Sequence, residues 1–113
     1  MTVELDGENL SIDDFVSVAR QGRKVTISKE GKEKILCSHN DLLTILKSDR
    51  VAYGIKTGFG ELSDVSIHKD DAKKLQLNLV RSHAAGVGRP FCKDVVRGII
   101  LLRANALAKG CSG

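Results

Sequence analysis

The sequence has no tryptophan, one tyrosine and three phenylalanines in 113 residues. Any core it builds must be aliphatic. A single proline rules out a proline-rich chain, and 11 glycines without a repeat rule out a collagenous one. The longest apolar run, Gly98–Leu102, is far short of the roughly 20 residues that a membrane-spanning helix requires. The start, Met1-Thr2-Val3-Glu4-Leu5-Asp6, is acidic and carries no apolar stretch, so no secretory signal is visible. Cys37, Cys92 and Cys111 are odd in number and far apart, with no CxxC. That spacing excludes a disulfide framework and a zinc knuckle, and no metal is expected. It favours buried or inert free thiols in a reducing cytoplasm.

What is present is ordinary for a folded protein: 42% hydrophobic and 28% charged residues. The length has room for one domain at most, burying roughly 65% of its unfolded surface. Net charge is +4 but uneven. Residues 1–50 hold 8 Lys and Arg against 9 Asp and Glu, and residues 51–113 hold 10 against 5. The basic residues of the second half are scattered singly, apart from Lys73–Lys74, and aromatics for base stacking are nearly absent. Nucleic acid is therefore not expected as a partner.

Along the chain, Thr2–Leu5 and Lys24–Ile27 alternate polar and apolar residues as short strands do. Between them Ser11 reads as a helix N-cap with Asp14 three residues on. Ile12, Phe15, Val16 and Ala19 share the following helix's apolar face, and Gly22 ends it. Residues 1–27 thus form a small strand–helix–strand start. A helix follows over 28–50, striped by Ile35, Leu36, Leu42, Leu43 and Leu46. Gly31 weakens its first turn, and His39 reads as a solvated surface residue.

Residues 51–63 break the helical pattern with Val-Ala-Tyr-Gly-Ile-Lys-Thr-Gly-Phe-Gly, bulky side chains at odd positions and glycines at 54, 58 and 60. This is an extended segment or loop whose backbone bends sharply or approaches something closely. Two helices fill 64–109. The first carries Ala72, Leu75, Leu79 and His83 on one stripe and ends before Gly86. The second, from Lys93, is apolar on nearly every side and is expected to be buried on several of them, against other chains or a longer continuation of this one. Arg103 falls on that helix and is expected to be a buried guanidinium held by carbonyls or a carboxylate. The fold class is mainly α with a small N-terminal β element.

Two residues stand out chemically. Tyr53 among glycines suits either a core phenol with a satisfied hydroxyl or a mobile general acid or base. His83 suits either a core histidine or a pocket group for a polar ring. Spacing alone does not choose.

Three segments, in order, resemble one family. Tyr53-Gly-Ile-Lys-Thr-Gly-Phe-Gly60 resembles the YGxxTGFG loop of the aromatic amino acid ammonia-lyases. Leu75 to Gly88 is similar to LQxxLVxSHAAGVG of the histidine-acting branch, and Leu102 to Gly113 to LRxNxLxxGxSG. The resemblance covers the whole chain. It implies the N-terminal part of the ammonia-lyase (fumarase/aspartase-like) helical fold and the release of ammonia from an aromatic amino acid. It further implies Tyr53 as the catalytic base or proton relay, Gly60 in the same loop at the substrate, and His83 lining the pocket around the substrate ring. The Ser82-His83 pair is the histidine-specific form and points to L-histidine giving trans-urocanate; another aromatic substrate such as tyrosine is the alternative, as is a non-catalytic oligomerisation or interaction module. The implied cofactor is methylidene-imidazolone (MIO), formed from an internal Ala-Ser-Gly. The implied partners are the remainder of the lyase chain and sister subunits of a homotetramer, in the cytoplasm and away from membranes. Lys56 stands where asparagine is common in the histidine-acting branch. No Ala-Ser-Gly occurs in these 113 residues, so the chain alone is expected to be inactive.

Overall fold

The structure is a computed structural model that describes residues 2–48, 55, 57 and 71–112. Its elements run β1 (Val3–Leu5), α1 (Ile12–Gln21), β2 (Val25–Ile27), α2 (Lys29–Lys47), α3 (Ala72–His83) and α4 (Lys93–Leu107). The chain is mainly helical with one small sheet. It divides into two compact units: Met1–Asp41 with Arg89–Gly113, and Leu42–Gly88.

In the first unit β1 and β2 pair in parallel, Val3 opposite Val25 and Leu5 opposite Ile27. Parallel strands need a crossover, and α1 supplies it. Its caps are those read from the sequence. Ser11 Oγ accepts from the Asp14 N–H at 3.1 Å and donates to Asp14 Oδ2 at 2.8 Å. The other Asp14 oxygen takes an ion pair from Arg23 Nη1 at 2.9 Å. At the far end Gly22 sits at φ 71°, with its N–H on Val18 O and the Arg23 N–H on Ser17 O. The Gly22 N–H on Val18 O is the 5→1 bond of an αL ending, and its left-handed residue is strained for anything but glycine.

The core of this unit is Val3, Leu5, Val18 and Leu101, with Leu10, Phe15 and Ala104 packed against it. Leu5 is 1% exposed. Burying such a side chain is worth about 2 kcal/mol. Two details differ from the apolar face read in the sequence. Ile12 is 80% exposed and Val18 is buried. The face of α1 that packs against the core thus begins at Phe15.

α1 and α4 pack on each other. Gly98 makes the approach close: a Cβ there would lie 2.8 Å from Phe15 Cζ. Gly31 has a similar reason to be glycine. It is buried in the first turn of α2, where a Cβ would meet Ile27 Cγ2 and Leu5 O, each at 3.0 Å. Its N–H is capped by Ser28 Oγ at 3.0 Å, and Ser28 N–H donates to Leu5 O at 2.9 Å. The helix-weakening glycine is thus the residue that seats α2 on the sheet.

The C-terminal end of α4 returns to the start of the chain. Asn105 Oδ1 accepts the Gly7 N–H at 3.1 Å. Gly7 is at φ 90° against the Lys109 backbone, and Gly110, at φ 70°, lies against Lys34, whose carbonyl oxygen would be 2.5 Å from an added Cβ. An exposed Lys34–Glu8 ion pair of 3.3 Å adds little by comparison.

The apolar surface of α4, expected to meet other chains or a longer continuation, stands exposed in this chain taken alone: Val95, Val96, Ile99, Ile100 and Leu102 are exposed, and Gly98 and Leu101 are its buried residues among those described. Other expectations are corrected here. Arg103 is exposed rather than buried, because it lies away from the Leu101–Ala108 side that meets the core. Cys37, Cys92 and Cys111 are free, as expected, but all three are exposed rather than buried. His39 is exposed, as read. Residues 58–70, including the start of the helix read from 64, lie outside the described residues. No helix among the described residues is long and apolar enough to cross a membrane.

Two outcomes follow. Gly110→Ala is expected to lower the unfolding free energy by about 2–4 kcal/mol, through backbone collision and a strained φ. Urea titration reads it, and a loss below about 0.5 kcal/mol contradicts the packing described. The second concerns acid. The Asp6 carboxylate accepts the Asn9 and Glu8 backbone N–H groups, each at 2.8 Å, and also the Asn9 side chain. These bonds, Asn9 first, lower its pKa from 3.8 to about 2. A depressed folded-state pKa contributes stability above the unfolded value and loses it as pH falls through the folded one. Between about pH 4 and pH 2 the chain should therefore lose stability, and Asp6→Asn should flatten that part of the curve; unfolding midpoints across the window give the answer.

Candidate functional site

The residues singled out by sequence fall in the second unit. Tyr53 and Gly60 lie outside the described residues, as does Lys56 between them. Two residues of the same loop are described. Ile55 is half-buried in a turn, and Thr57 takes part in an isolated β-bridge. Thr57 is 1% exposed, and no buried side-chain polar atom among the described residues lacks a hydrogen-bond partner. Of the extended segment or loop read over 51–63, these two described residues show one of each, a turn at Ile55 and a bridge at Thr57. Thr57 is one of the bulky odd positions read in the sequence, and its burial was not singled out there.

His83 is the last residue of α3. The helix forms because Leu75 and Leu79 share a half-buried stripe, one turn apart, while the intervening positions are exposed. It stops at Ala84, whose N–H turns back to Arg81 O at 3.3 Å. Beyond it residues 85–88 are exposed, and Gly88 at φ 90° requires glycine for its backbone alone, since no atom crowds it.

The His83 side chain is exposed in this chain. Its Nδ1 lies 2.9 Å from Leu79 O and 3.0 Å from Ser82 Oγ. Ser82 Oγ in turn donates to the same Leu79 O at 2.8 Å. Nδ1, Oγ and the carbonyl oxygen form a triangle on the last turn of α3. The helix thus fixes the ring through its inner nitrogen and leaves Nε2 available. Such a ring can hold a polar partner at Nε2 and cannot rotate freely while doing so.

No group of three or more His, Cys, Asp and Glu that could hold a metal ion occurs among the described residues. The first unit has an apolar cavity of about 340 Å³, lined by Ile27, Ile35, Ala104, Leu107 and Ser112 among others. It contains none of the residues singled out above. Its Ser112 belongs to Cys111-Ser112-Gly113, the triplet nearest in appearance to a methylidene-imidazolone precursor. That triplet has cysteine in place of alanine and follows α4 in sequence, with Ser112 lining this cavity. The residues present do not supply the cofactor's precursor.

Comparison with known proteins gives the same picture at every level. Among sequences, the chain is 50% identical over 111 residues to a histidine ammonia-lyase of Clostridium tetani and 51% identical over 111 residues to one of Caldanaerobacter subterraneus. Each alignment covers 98% of this chain and 22% of the relative, so the chain spans about a fifth of the length of the curated relatives it matches. Among solved structures, it is similar to a tyrosine aminomutase of Streptomyces globisporus, with TM-score 0.92 and 37% identity, covering 97% of this chain and 21% of that one. It is also similar to the histidine ammonia-lyase of Trypanosoma cruzi, with TM-score 0.84 and 35% identity over 97% of this chain and 21% of that one. The mainly helical architecture described above is thus the fold of these enzymes. The aromatic amino acid lyase profile matches residues 10–113, and the chain belongs to that family.

Proposed function

We propose that this chain is the N-terminal part of a histidine ammonia-lyase, which releases ammonia from L-histidine to give trans-urocanate. The observation that carries the reading is the Ser82-His83 pair at the end of α3, exposed and with its ring held by Leu79 O and Ser82 Oγ. An imidazole fixed in this way can bond a substrate ring that bears polar atoms, and would face an unpaired nitrogen with a purely apolar ring. The high identity to histidine ammonia-lyases supports histidine over tyrosine as substrate.

In this reading Tyr53 removes or relays the proton from the substrate's β-carbon, His83 binds the ring, and Gly60 lets the loop backbone approach the substrate. Methylidene-imidazolone supplies the electrophile for the departing amine in enzymes of this kind. Its precursor triplet is not in this chain, and the roles assigned here are those of the chain's own side chains. The exposed apolar surface of α4, with Ile100 63% exposed, supports the remainder of the lyase chain and sister subunits of a homotetramer as partners. The working compartment is the cytoplasm.

The test uses the full-length gene product containing these residues, with L-histidine, L-tyrosine and L-phenylalanine as substrates and ammonia and urocanate as readouts. Histidine is expected to be turned over and the 113-residue chain alone to be inert. Tyr53→Phe is expected to reduce kcat roughly 100- to 10,000-fold with a much smaller effect on KM. Turnover of tyrosine in preference to histidine, or an unchanged kcat in Tyr53→Phe, contradicts the assignment.

A further inference from the structure

We infer that Ser82 and the Leu79 carbonyl lock His83 in its Nδ1–H tautomer, so that Nε2 is presented as a hydrogen-bond acceptor. Ser82 is then a positioning residue for ring recognition.

The argument is one of donors and acceptors. Leu79 O can only accept, and it lies 2.9 Å from His83 Nδ1. The Ser82 hydroxyl has one proton and it points at the same carbonyl, 2.8 Å away. If Nδ1 were the bare nitrogen, its lone pair would face the carbonyl's lone pairs. The serine proton would then have to leave Leu79 O to reach Nδ1 at 3.0 Å. If Nδ1 carries the proton, all three contacts are satisfied together: Nδ1–H donates to Leu79 O and Ser82 Oγ, and Ser82 O–H donates to Leu79 O. A neutral imidazole has one N–H, so Nε2 is left as an acceptor. This is the reverse of the form in which Nε2 carries the proton.

The polarity selects the ligand class. An acceptor at Nε2 rewards an aromatic amino acid whose ring has a donor, such as the imidazole N–H, and gains nothing from a phenyl ring. An unpaired polar atom in the site disfavours the phenyl ligand by roughly 10- to 100-fold. This last step rests on the proposal that His83 meets the substrate ring; the tautomer itself does not.

The experiment is long-range proton–nitrogen NMR on the 113-residue chain labelled with 15N-histidine, at about pH 8.5, above the ordinary imidazole range. His83→Gln identifies the signal among those of the three histidines. The expected result is a His83 spectrum dominated by Nδ1–H. Ser82→Ala should lower the Nδ1–H to Nε2–H ratio roughly fivefold, the worth of about one hydrogen bond, and Ser82→Thr, which keeps the hydroxyl, should restore it. A wild-type spectrum dominated by Nε2–H overturns the inference, and so does a ratio indifferent to Ser82→Ala. A melted α3 gives the Nε2–H-rich pattern of free imidazole and counts against it equally. No turnover enters the readout, so a failed lyase assay and a failed tautomer lock are told apart.

Discussion

The bond from the Gly7 N–H to Asn105 Oδ1 joins residues 98 positions apart. Most of the first unit depends on it and on the contacts beside it. The strand–helix–strand start is short, with two strands of three residues each, and a pair of strands that small is marginal in water unless something covers it. α4 provides the cover. Leu101 enters the core with Val3, Leu5 and Val18, Gly98 admits Phe15, and Gly110 closes against Lys34 on α2. Three backbone positions where a side chain does not fit thus mark where the far end of the chain meets its beginning. Closing so long a loop has an entropic cost that grows only slowly with its length.

That arrangement separates two tasks. The first unit supplies a packed core and capped helix ends. The second unit, Leu42–Gly88, contains both motifs on which the proposed chemistry rests, and α3 offers His83 at its exposed end. Binding groups on a short helix end are held by local bonds rather than by burial. The Leu79–Ser82–His83 triangle is such a local device: it needs only the last turn of one helix. Helix geometry places position 79 beside position 83, so the ring is oriented by the same backbone that ends there.

Local signals in the sequence were sufficient for local structure. Ser11 and Gly22 bound α1 because caps are chosen by side chains and φ values within a few residues. α2 and α4 begin where the sequence places them, to within a residue, and the family is legible from three motifs alone. What was not legible depended on contacts distant in sequence. Gly31 looked like a weak point in a helix and is the seat of α2 on the sheet. Ile12 continues the apolar periodicity of α1 but is exposed, outside the core that Phe15 and Val18 join. Arg103 was placed on a buried face because α4 is apolar nearly all round, and such a helix gives no internal clue to which side meets this core. Asn105, at a position with no special pattern, forms the bond that closes the unit.

The most direct measurement of this account is amide hydrogen exchange at Gly7. Its N–H lies in a connection, outside helix and strand, where exchange is ordinarily fast. If the Asn105 bond closes the first unit, Gly7 should exchange as slowly as the core amides of α1 and open together with them. Fast exchange at Gly7 while α1 stays protected would show that the end of α4 is not tied to the start of the chain.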